Sequence, residues 1–236
     1  MRGNGTDVAW SLVMPLKPLA YAKSRLSAAV GEGARPLLAL AFAQDAVAAA
    51  LACRRVRDVA VVTDDARAAA ALGALGARIL PDVPQAGLNA ALDHGARAVG
   101  GAGPVAALNP DLPALRPVEL ARVLEAAAQF PRAFLADAAG IGTTLLAARA
   151  GEELAPAFGG ASRARHAASG AREIVVAGVE SVRRDVDTGE DLRVAVALGV
   201  GPHTAQALRG PAFGPCPVAA SPAGSPADGG TVPRGT

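Results

Sequence analysis

The sequence of 236 residues contains few aromatic residues and only two cysteines. Aromatic residues make up 3% of the chain, so the core has to be built from Ala, Val and Leu. Cys53 and Cys216 form neither a disulfide framework nor a zinc-binding spacing, which fits a reducing compartment. The sequence has no apolar run of about 18 residues and no signal-peptide pattern. These absences predict a cytoplasmic protein that does not span a membrane.

Several nucleotide- and nucleic-acid-binding patterns are also missing. The net charge is only +2, and no long basic run or basic-aromatic interleaving occurs, which argues against a nucleic-acid partner. The chain has no G-x-x-x-x-G-K-[ST] loop and no G-x-G-x-x-G after a strand-like segment. It is therefore predicted to be neither a P-loop protein nor a nicotinamide or flavin dehydrogenase.

Lysine is almost absent, and its placement is informative. The only two lysines, Lys17 and Lys23, stand six positions apart beside 21 arginines spread over the rest of the chain. In such a composition, two neighbouring ammonium groups indicate a place where a compact point charge is needed, as around a phosphate chain. The alternative is that both are solvated surface lysines. Ser24 and Arg25 follow in the same segment and extend this candidate phosphate-binding loop.

Short buried strands alternate with helices in the first half of the chain, which predicts a mainly parallel sheet covered by helices on both faces. We predict strands at 9–14, 58–62, 77–80, 104–108 and 133–136, and helices at 36–53, 66–75, 87–99 and 117–129. A single domain is expected over 9–210, with a flexible N-terminus at 1–8 and a disordered Pro/Gly/Ala/Ser-rich tail at 211–236.

The second half is predicted to add a strand at 173–177, a strand-like segment at 182–187 and a helix at 188–198. Thr188 and Asp191 have the spacing of a helix-start cap. Ligands of open α/β sheets bind beyond the carboxyl ends of strands.

Acidic residues follow two of these strand-like segments. Asp111 comes after the fourth predicted strand, held between two prolines, and Asp185 and Asp187 end the segment at 182–187. Alternation along a strand would point both carboxylates of the D-x-D pair to one side. If the ends of these two segments lie next to each other, the three carboxylates supply oxygen ligands that suit Mg²⁺ bound together with substrate phosphates. The alternative is that Asp187 caps a helix and Asp111 forms a turn.

Two loops of small residues offer a second anion site. The segment Gly142–Thr144 supplies two hydroxyls and a backbone that a ligand can approach closely. The segment 159–163 is a Gly-Gly turn that also contains Ser162 and Arg163. Together they suit a substrate that carries a phosphate and a carboxylate. His166 is interpreted as a structural or substrate-orienting histidine in preference to a catalytic one, because no Ser/His/Asp or Cys/His motif accompanies it.

Six segments in order resemble the 2-phospho-L-lactate/phosphoenolpyruvate guanylyltransferases of deazaflavin coenzyme (F-420) biosynthesis. The segments are LVMPLKPLAYAKSRL, GLNAAL, DLPAL, GIGTTLLAA, FGGASRARH and RRDVDTGEDL. The resemblance implies a nucleotidyltransferase fold like that of glycosyltransferase-A domains, with a mixed, mainly parallel sheet sandwiched by helices. It implies GTP as substrate and Mg²⁺ as cofactor.

The resemblance also implies roles for individual residues, which divide into a nucleotide side, a metal site and an acid side. The nucleotide would be held by Lys17, Lys23, Ser24 and Asn89, the metal by Asp111, Asp185 and Asp187, and the phosphorylated acid by Thr143, Gly159 and Ser162. Lys17, Lys23, Arg25 and Asp111 would stabilise charge during the reaction.

The acceptor is left open among phosphoenolpyruvate, 2-phospho-L-lactate and phosphoglycerate. Phosphoenolpyruvate is favoured because the Ala/Arg-rich composition resembles high-GC bacterial proteins, in which the resemblance implies phosphoenolpyruvate as the usual substrate. A sugar-phosphate or molybdopterin nucleotidyltransferase is disfavoured by the absence of a G-x-G-T segment after the first strand. A non-catalytic nucleotide-binding domain is disfavoured by the intact carboxylates. A homodimer is compatible with the sequence.

Overall fold

The computed structural model describes residues 9–26, 30–31, 33–83, 85–101 and 103–210. The predicted flexible N-terminus at 1–8 and the predicted disordered tail at 211–236 both lie outside the described residues.

Within the described residues, seven strands form one mixed sheet in the order β3-β2-β1-β4-β6-β5-β7. The strands are β1 (Trp10–Pro15), β2 (Val56–Val62), β3 (Arg78–Leu80), β4 (Val105–Leu108), β5 (Arg132–Ala136), β6 (Thr143–Ala148) and β7 (Arg172–Glu173). Strands β1 to β4 pair in parallel, and β7 pairs in parallel with β5. Among the seven described strands, only β6 runs antiparallel to its neighbours, β4 and β5. The predicted α/β fold with a mixed, mainly parallel sheet is confirmed.

Eight α-helices connect and cover the strands in the described part of the chain. They are α1 (Arg35–Leu51), α2 (Ala66–Ala74), α3 (Leu88–Gly100), α4 (Pro117–Ala127), α5 (Ser162–Ala168), α6 (Glu180–Arg183), α7 (Gly189–Leu198) and α8 (Pro202–Leu208). Within the described ranges, no helix has both the length and the apolar character needed to cross a membrane.

The central strand β1 shows how a core poor in aromatic residues is built. Leu12 and Met14 belong to one core cluster and Val13 to another, so successive side chains contribute to opposite faces of the sheet. The first cluster includes residues of α1 and α4, and the second includes Leu92 of α3. Both faces are therefore covered, which explains why β1 reads as a continuous apolar run.

Strand direction decides which loops meet at the edge where the site forms. Because β1, β2 and β4 are parallel, the segments after Pro15, Val62 and Leu108 leave the sheet at the same edge. Strand β6 runs the opposite way, so its first residues reach that edge too, and Asn109 N donates to Thr144 O at 3.0 Å. The start of β6 is thus adjacent to the turn that follows β4.

Two predictions for the second half are wrong. The strand expected at 173–177 is limited to Arg172–Glu173, because Ile174 turns into the core while Val175 is 91% exposed. The strand-like segment at 182–187 is instead the end of α6 followed by irregular backbone. Val182 and Val186 are both fully buried, but Val182 lies in α6 and Val186 lies beyond its end, in a different core cluster.

Helix α8 was not predicted, because its sequence lies where the Pro/Gly-rich composition begins. Its first turn is capped by Asp45 of α1, whose carboxylate accepts hydrogen bonds from His203 N at 3.0 Å and Thr204 N at 2.8 Å. Asp45 is buried, so these bonds satisfy both the helix start and the carboxylate. The end of the described chain is thereby fixed to α1.

Candidate active site

A cavity of about 470 Å³ lies at the edge of the sheet where β1 and β4 end and β6 begins. Its lining includes residues of the lysine-containing loop, of the turn after β4, of the turn before β6, of the 158–162 loop and of the 185–187 segment. The predicted site residues in this lining are Lys17, Lys23, Asp111, Thr143, Gly159, Ser162, Asp185 and Asp187. Residues separated by up to 170 positions in sequence therefore share one cavity.

The lysine loop, residues 16–26, contains two 3₁₀ turns, Leu19–Tyr21 and Ser24–Leu26. Asp65 anchors it, because its carboxylate accepts a hydrogen bond from Leu19 N at 2.9 Å while also capping α2 through Ala68 N. Lys17 is exposed on the cavity wall. Arg25 is exposed in the second turn and is not part of the lining.

Lys23 lies between two of the predicted metal ligands. Its ammonium group donates hydrogen bonds to Asp111 Oδ2 and, at 2.7 Å, to Asp187 Oδ1. Burial by itself would lower the pKa of Lys23, but the charges of Asp111 and Asp187 outweigh burial and raise it. Lys23 is therefore a permanent cation in this arrangement.

The turn after β4 and the 185–187 segment are joined by backbone. Val186 N donates to Asp111 O at 3.1 Å, which brings both flanking carboxylates to the cavity. Burial, followed by the negative charges of Asp111 and Asp187, raises the pKa of Asp185 to about 7. The cavity thus concentrates carboxylates that repel one another, although Asp185 and Asp187 are placed there by a loop and not by the predicted strand.

The three carboxylates do not form a ready metal cage. Within the described residues, no group of three or more His, Cys, Asp or Glu side chains is close enough together to hold a metal ion. Instead the Lys23 ammonium lies between Asp111 and Asp187. However, Asp111 Oδ1 is buried and has no hydrogen-bond partner, so one carboxylate oxygen at this position is free to accept a cation.

Asp137 lines the cavity and was not predicted from the sequence as a site residue. It follows β5, and its carboxylate accepts hydrogen bonds from Ile141 N at 2.9 Å and Gly142 N at 2.8 Å. A Cβ at Gly142 would lie 2.4 Å from Asp137 Oδ2, so this turn requires glycine. An Asp directly after an apolar strand, followed by a glycine-containing turn, is the signal that could have identified it.

On the other side of the cavity, Thr143 and Ser162 are buried beside the exposed Gly159. Gly159 and the following glycine both have positive φ (97° and 46°), so the Gly-Gly turn needs residues without a side chain. Thr143 Oγ1 lies 2.9 Å from His166 Nδ1. The structure therefore brings the residues of the predicted acid site together.

Asn89 has a different set of contacts from those predicted. Its side chain accepts a hydrogen bond from Phe158 N at 2.8 Å and donates one to Phe158 O at 3.2 Å. The amide thereby holds the loop that leads into Gly159. Both ends of the Asn89 side chain are thus used by this loop, and its contact with a nucleotide remains a prediction.

Comparison with known proteins identifies relatives of this chain. Phosphoenolpyruvate guanylyltransferase of Streptomyces coelicolor is 69% identical over 199 residues, which cover 83% of this chain and 94% of that protein. Among solved structures, a nucleotidyl transferase from Methanothermobacter thermautotroptrophicus has a TM-score of 0.55 at 21% identity, covering 83% of this chain and 98% of that one.

A second solved structure, Rv0371C of Mycobacterium tuberculosis H37Rv in complex with manganese, has a TM-score of 0.50 at 18% identity. It covers 80% of this chain and 99% of that one. At such identities the two solved structures show the shared fold. Residues 10–221 match the family described as guanylyl transferase CofC like, and the chain belongs to that family.

Proposed function

We propose that this protein transfers GMP from GTP to the phosphate of phosphoenolpyruvate and releases pyrophosphate, a step in the formation of deazaflavin coenzyme F-420. The observation that carries the proposal is that the two lysines, the carboxylates and the residues Thr143 and Ser162 line one cavity. The family and the name of the Streptomyces relative support the same activity.

The reaction needs no side-chain nucleophile. A phosphate oxygen of the acid forms a bond to the α-phosphorus of GTP, and the bond from that phosphorus to the β-phosphate oxygen breaks. Because the attacking phosphate is already ionised near neutral pH, no general base is required. Both reactants are anions, so the barrier is dominated by bringing them together and by stabilising the charge that develops.

Lys17 and Lys23 supply positive charge on one side of the cavity, and Lys23 remains charged because of its two carboxylate partners. Arg25 points to solvent, so we assign it a weaker, long-range contribution. Lysine ammonium groups suit a triphosphate, whose oxygens are spread along a chain.

The carboxylates fit a divalent cation. Asp111 offers a buried, unpartnered oxygen, and Asp185 and Asp187 lie in the same cavity, where their mutual repulsion would be relieved by positive charge. We propose that these three residues hold Mg²⁺, which when bound would neutralise triphosphate charge. Lys23 would then exchange its carboxylate contacts for substrate phosphate.

The acid would lie at Thr143, Gly159 and Ser162, whose hydroxyls and exposed backbone suit an acceptor-only anion. The choice of phosphoenolpyruvate over 2-phospho-L-lactate follows the relative's name and the high-GC composition. A homodimer remains a prediction.

The test is pyrophosphate release from GTP and Mg²⁺ in the presence of phosphoenolpyruvate, 2-phospho-L-lactate, 3-phosphoglycerate or a sugar 1-phosphate. Release with phosphoenolpyruvate above all others, and its loss when EDTA is added, is expected. Preference for a sugar 1-phosphate, or equal rates with ATP and CTP, would contradict the proposal.

A further inference from the structure

His166 is buried between two aromatic rings and makes two side-chain hydrogen bonds. Its relative exposure is 0%, and its ring contacts those of Phe134 and Phe158, with centroids 5.8 and 5.0 Å away. Ala157 N donates to Nε2 at 2.9 Å, and Thr143 Oγ1 lies 2.9 Å from Nδ1. The imidazole therefore links the start of β6 to the 155–158 segment.

These two contacts decide where the imidazole carries its proton. A backbone N–H can only donate, so Nε2 must present a lone pair to Ala157 N and cannot be protonated. The neutral ring then carries its hydrogen on Nδ1, which donates to Thr143 Oγ1. Burial, followed by the charges of Arg132 and Arg165, lowers the pKa of His166 to about 4, which agrees with a neutral ring.

The position of the His166 proton affects the cavity through its contact with Thr143. A threonine hydroxyl has one hydrogen and two lone pairs, and its hydrogen normally rotates to suit the surroundings. With one lone pair used by Nδ1–H, the hydrogen has to point away from the ring. Thr143 lines the cavity, so this hydrogen is available to a ligand there.

We infer that His166 is a positioning residue that fixes the Thr143 hydroxyl as a hydrogen-bond donor toward the phosphorylated acid. This inference rests on the proposed function, because it takes Thr143 to contact the acid. An ionised phosphate or carboxylate has only acceptors, so a hydroxyl whose hydrogen is already directed at it favours such a ligand. The same histidine also holds Ala157, one residue before Phe158, so it supports both walls of the acid site.

Two substitutions separate these two contacts. In His166→Asn the side-chain amide nitrogen takes the place of Nδ1 and can still donate to Thr143. In His166→Gln the amide reaches the place of Nε2 and can still accept from Ala157 N, but the donor to Thr143 is lost.

We expect His166→Gln to raise the KM for phosphoenolpyruvate by about tenfold, the scale of one lost hydrogen bond. The KM for GTP should stay within about twofold, and His166→Asn should retain most of the affinity for the acid.

A double-mutant cycle tests the route through Thr143. In a Thr143→Val background the hydroxyl is absent, so His166→Gln should add little to the KM for phosphoenolpyruvate. An equal effect of His166→Gln in both backgrounds, or equal effects of the Asn and Gln variants, would show that the ring acts only on folding and would overturn the inference.

The tautomer can be read without any substrate or variant activity. Nitrogen-15 NMR of full-length protein labelled at its three histidines should show one ring, absent in His166→Gln, that is protonated on Nδ1 and bare on Nε2. A ring protonated on Nε2 would overturn the inference even if the enzyme is active. Lack of turnover with phosphoenolpyruvate in the wild type would instead contradict the proposed function, so the two failures are distinguishable.

Discussion

At the scale of single residues, the cavity balances opposite charges at short range. Lys23 compensates Asp111 and Asp187, while Asp185 lies beside them without a lysine contact of its own. A charge network of this kind is most sensitive to removal of one member, because the remaining charges are left uncompensated in a partly buried place. Variants that neutralise one carboxylate therefore need a stability measurement beside the rate measurement, so that lost catalysis is distinguished from lost folding.

We predict that Asp111→Asn and Asp187→Asn each lower the rate of pyrophosphate release by at least about 100-fold, the scale of a lost electrostatic contact to the transition state. Steady-state kinetics at saturating GTP, phosphoenolpyruvate and Mg²⁺ measure this. Asp58→Asn is the matched control, because Asp58 lies near the start of β2, away from the cavity. Near-normal turnover in either cavity variant would remove that residue from the metal site.

Asn89 gives a sharper distinction between two roles. Because its amide pairs with both backbone groups of Phe158, Asn89→Ala should loosen the acid loop and raise the KM for phosphoenolpyruvate by about tenfold. Asn89→Asp keeps the acceptor for Phe158 N but places a carboxylate oxygen against Phe158 O, so the KM for phosphoenolpyruvate should rise in this variant as well. If the KM for GTP rises instead, Asn89 contacts the nucleotide as its sequence context predicts.

The residues that the sequence identified share one property: their side-chain chemistry is unusual for the place they occupy. Two lysines in an arginine-rich chain and carboxylates after apolar segments can be noticed without coordinates. The link from His166 to Thr143 cannot, because it joins residues 23 positions apart through a contact that only the packing of α5 on the sheet creates. Asp137 has only a weak sequence signal, a carboxylate between an apolar strand and a glycine-containing turn, and the structure identifies it by the Ile141 and Gly142 amides that donate to it.

At the scale of elements, buried strands were predictable because a parallel sheet covered on both faces leaves continuous apolar runs in the sequence. The first four predicted strands all overlap the observed ones, with ends displaced by at most two residues. The segment at 182–187 has the polar-apolar alternation of a strand, but α6 ends at Arg183 and irregular backbone follows. Whether an alternating segment forms a strand depends on whether a neighbouring strand is available to pair with it, and the local sequence does not contain that information.

Helix α7 is the element whose start was predicted from sequence and is confirmed. Thr188 Oγ1 accepts from Asp191 N, and the Asp191 carboxylate accepts from Thr188 N at 2.9 Å, which together form a capping box. This cap directly follows Asp187, so it also fixes the direction in which the carboxylate segment leaves the cavity.

Thr188→Ala should lower the free energy of unfolding by about 1 kcal/mol, because it leaves a helix-start amide without its side-chain acceptor. Urea denaturation followed by circular dichroism measures this difference. Thr188→Ser keeps the hydroxyl and serves as control, with an expected change of less than about half of that. Equal stability of the Ala variant and the wild type would mean that solvent replaces the cap without cost.

At the scale of the whole molecule, the reversed strand β6 connects the two halves of the site. Its pairing with β4 places Thr143 beside the turn that carries Asp111, so the proposed acid side and the proposed nucleotide side face one cavity. Behind this edge, His166 joins α5, β6 and the segment before Phe158 in a buried contact. The stability of this half of the sheet therefore depends on an uncharged imidazole.

This dependence has a definite pH signature. An exposed histidine in the unfolded chain has a pKa near 6.5, whereas in the folded protein the pKa of His166 is lowered to about 4, by burial first and then by the charges of Arg132 and Arg165. Between these values the unfolded chain binds the additional proton, so the contribution of His166 to stability is complete above about pH 6.5 and declines as the pH falls toward 4.

We therefore predict that the free energy of unfolding of the wild type falls more steeply between pH 6.5 and 4.5 than that of His166→Gln, which cannot take up this proton. Carboxylates also titrate in this range, so the measured quantity is the difference between the two proteins at each pH, obtained from urea denaturation. The difference should be largest near pH 7 and shrink steadily on acidification. Parallel curves over the whole range would mean that His166 accepts a proton in the folded protein as easily as in the unfolded chain. The assignment of two hydrogen bonds that hold the ring neutral would then be wrong.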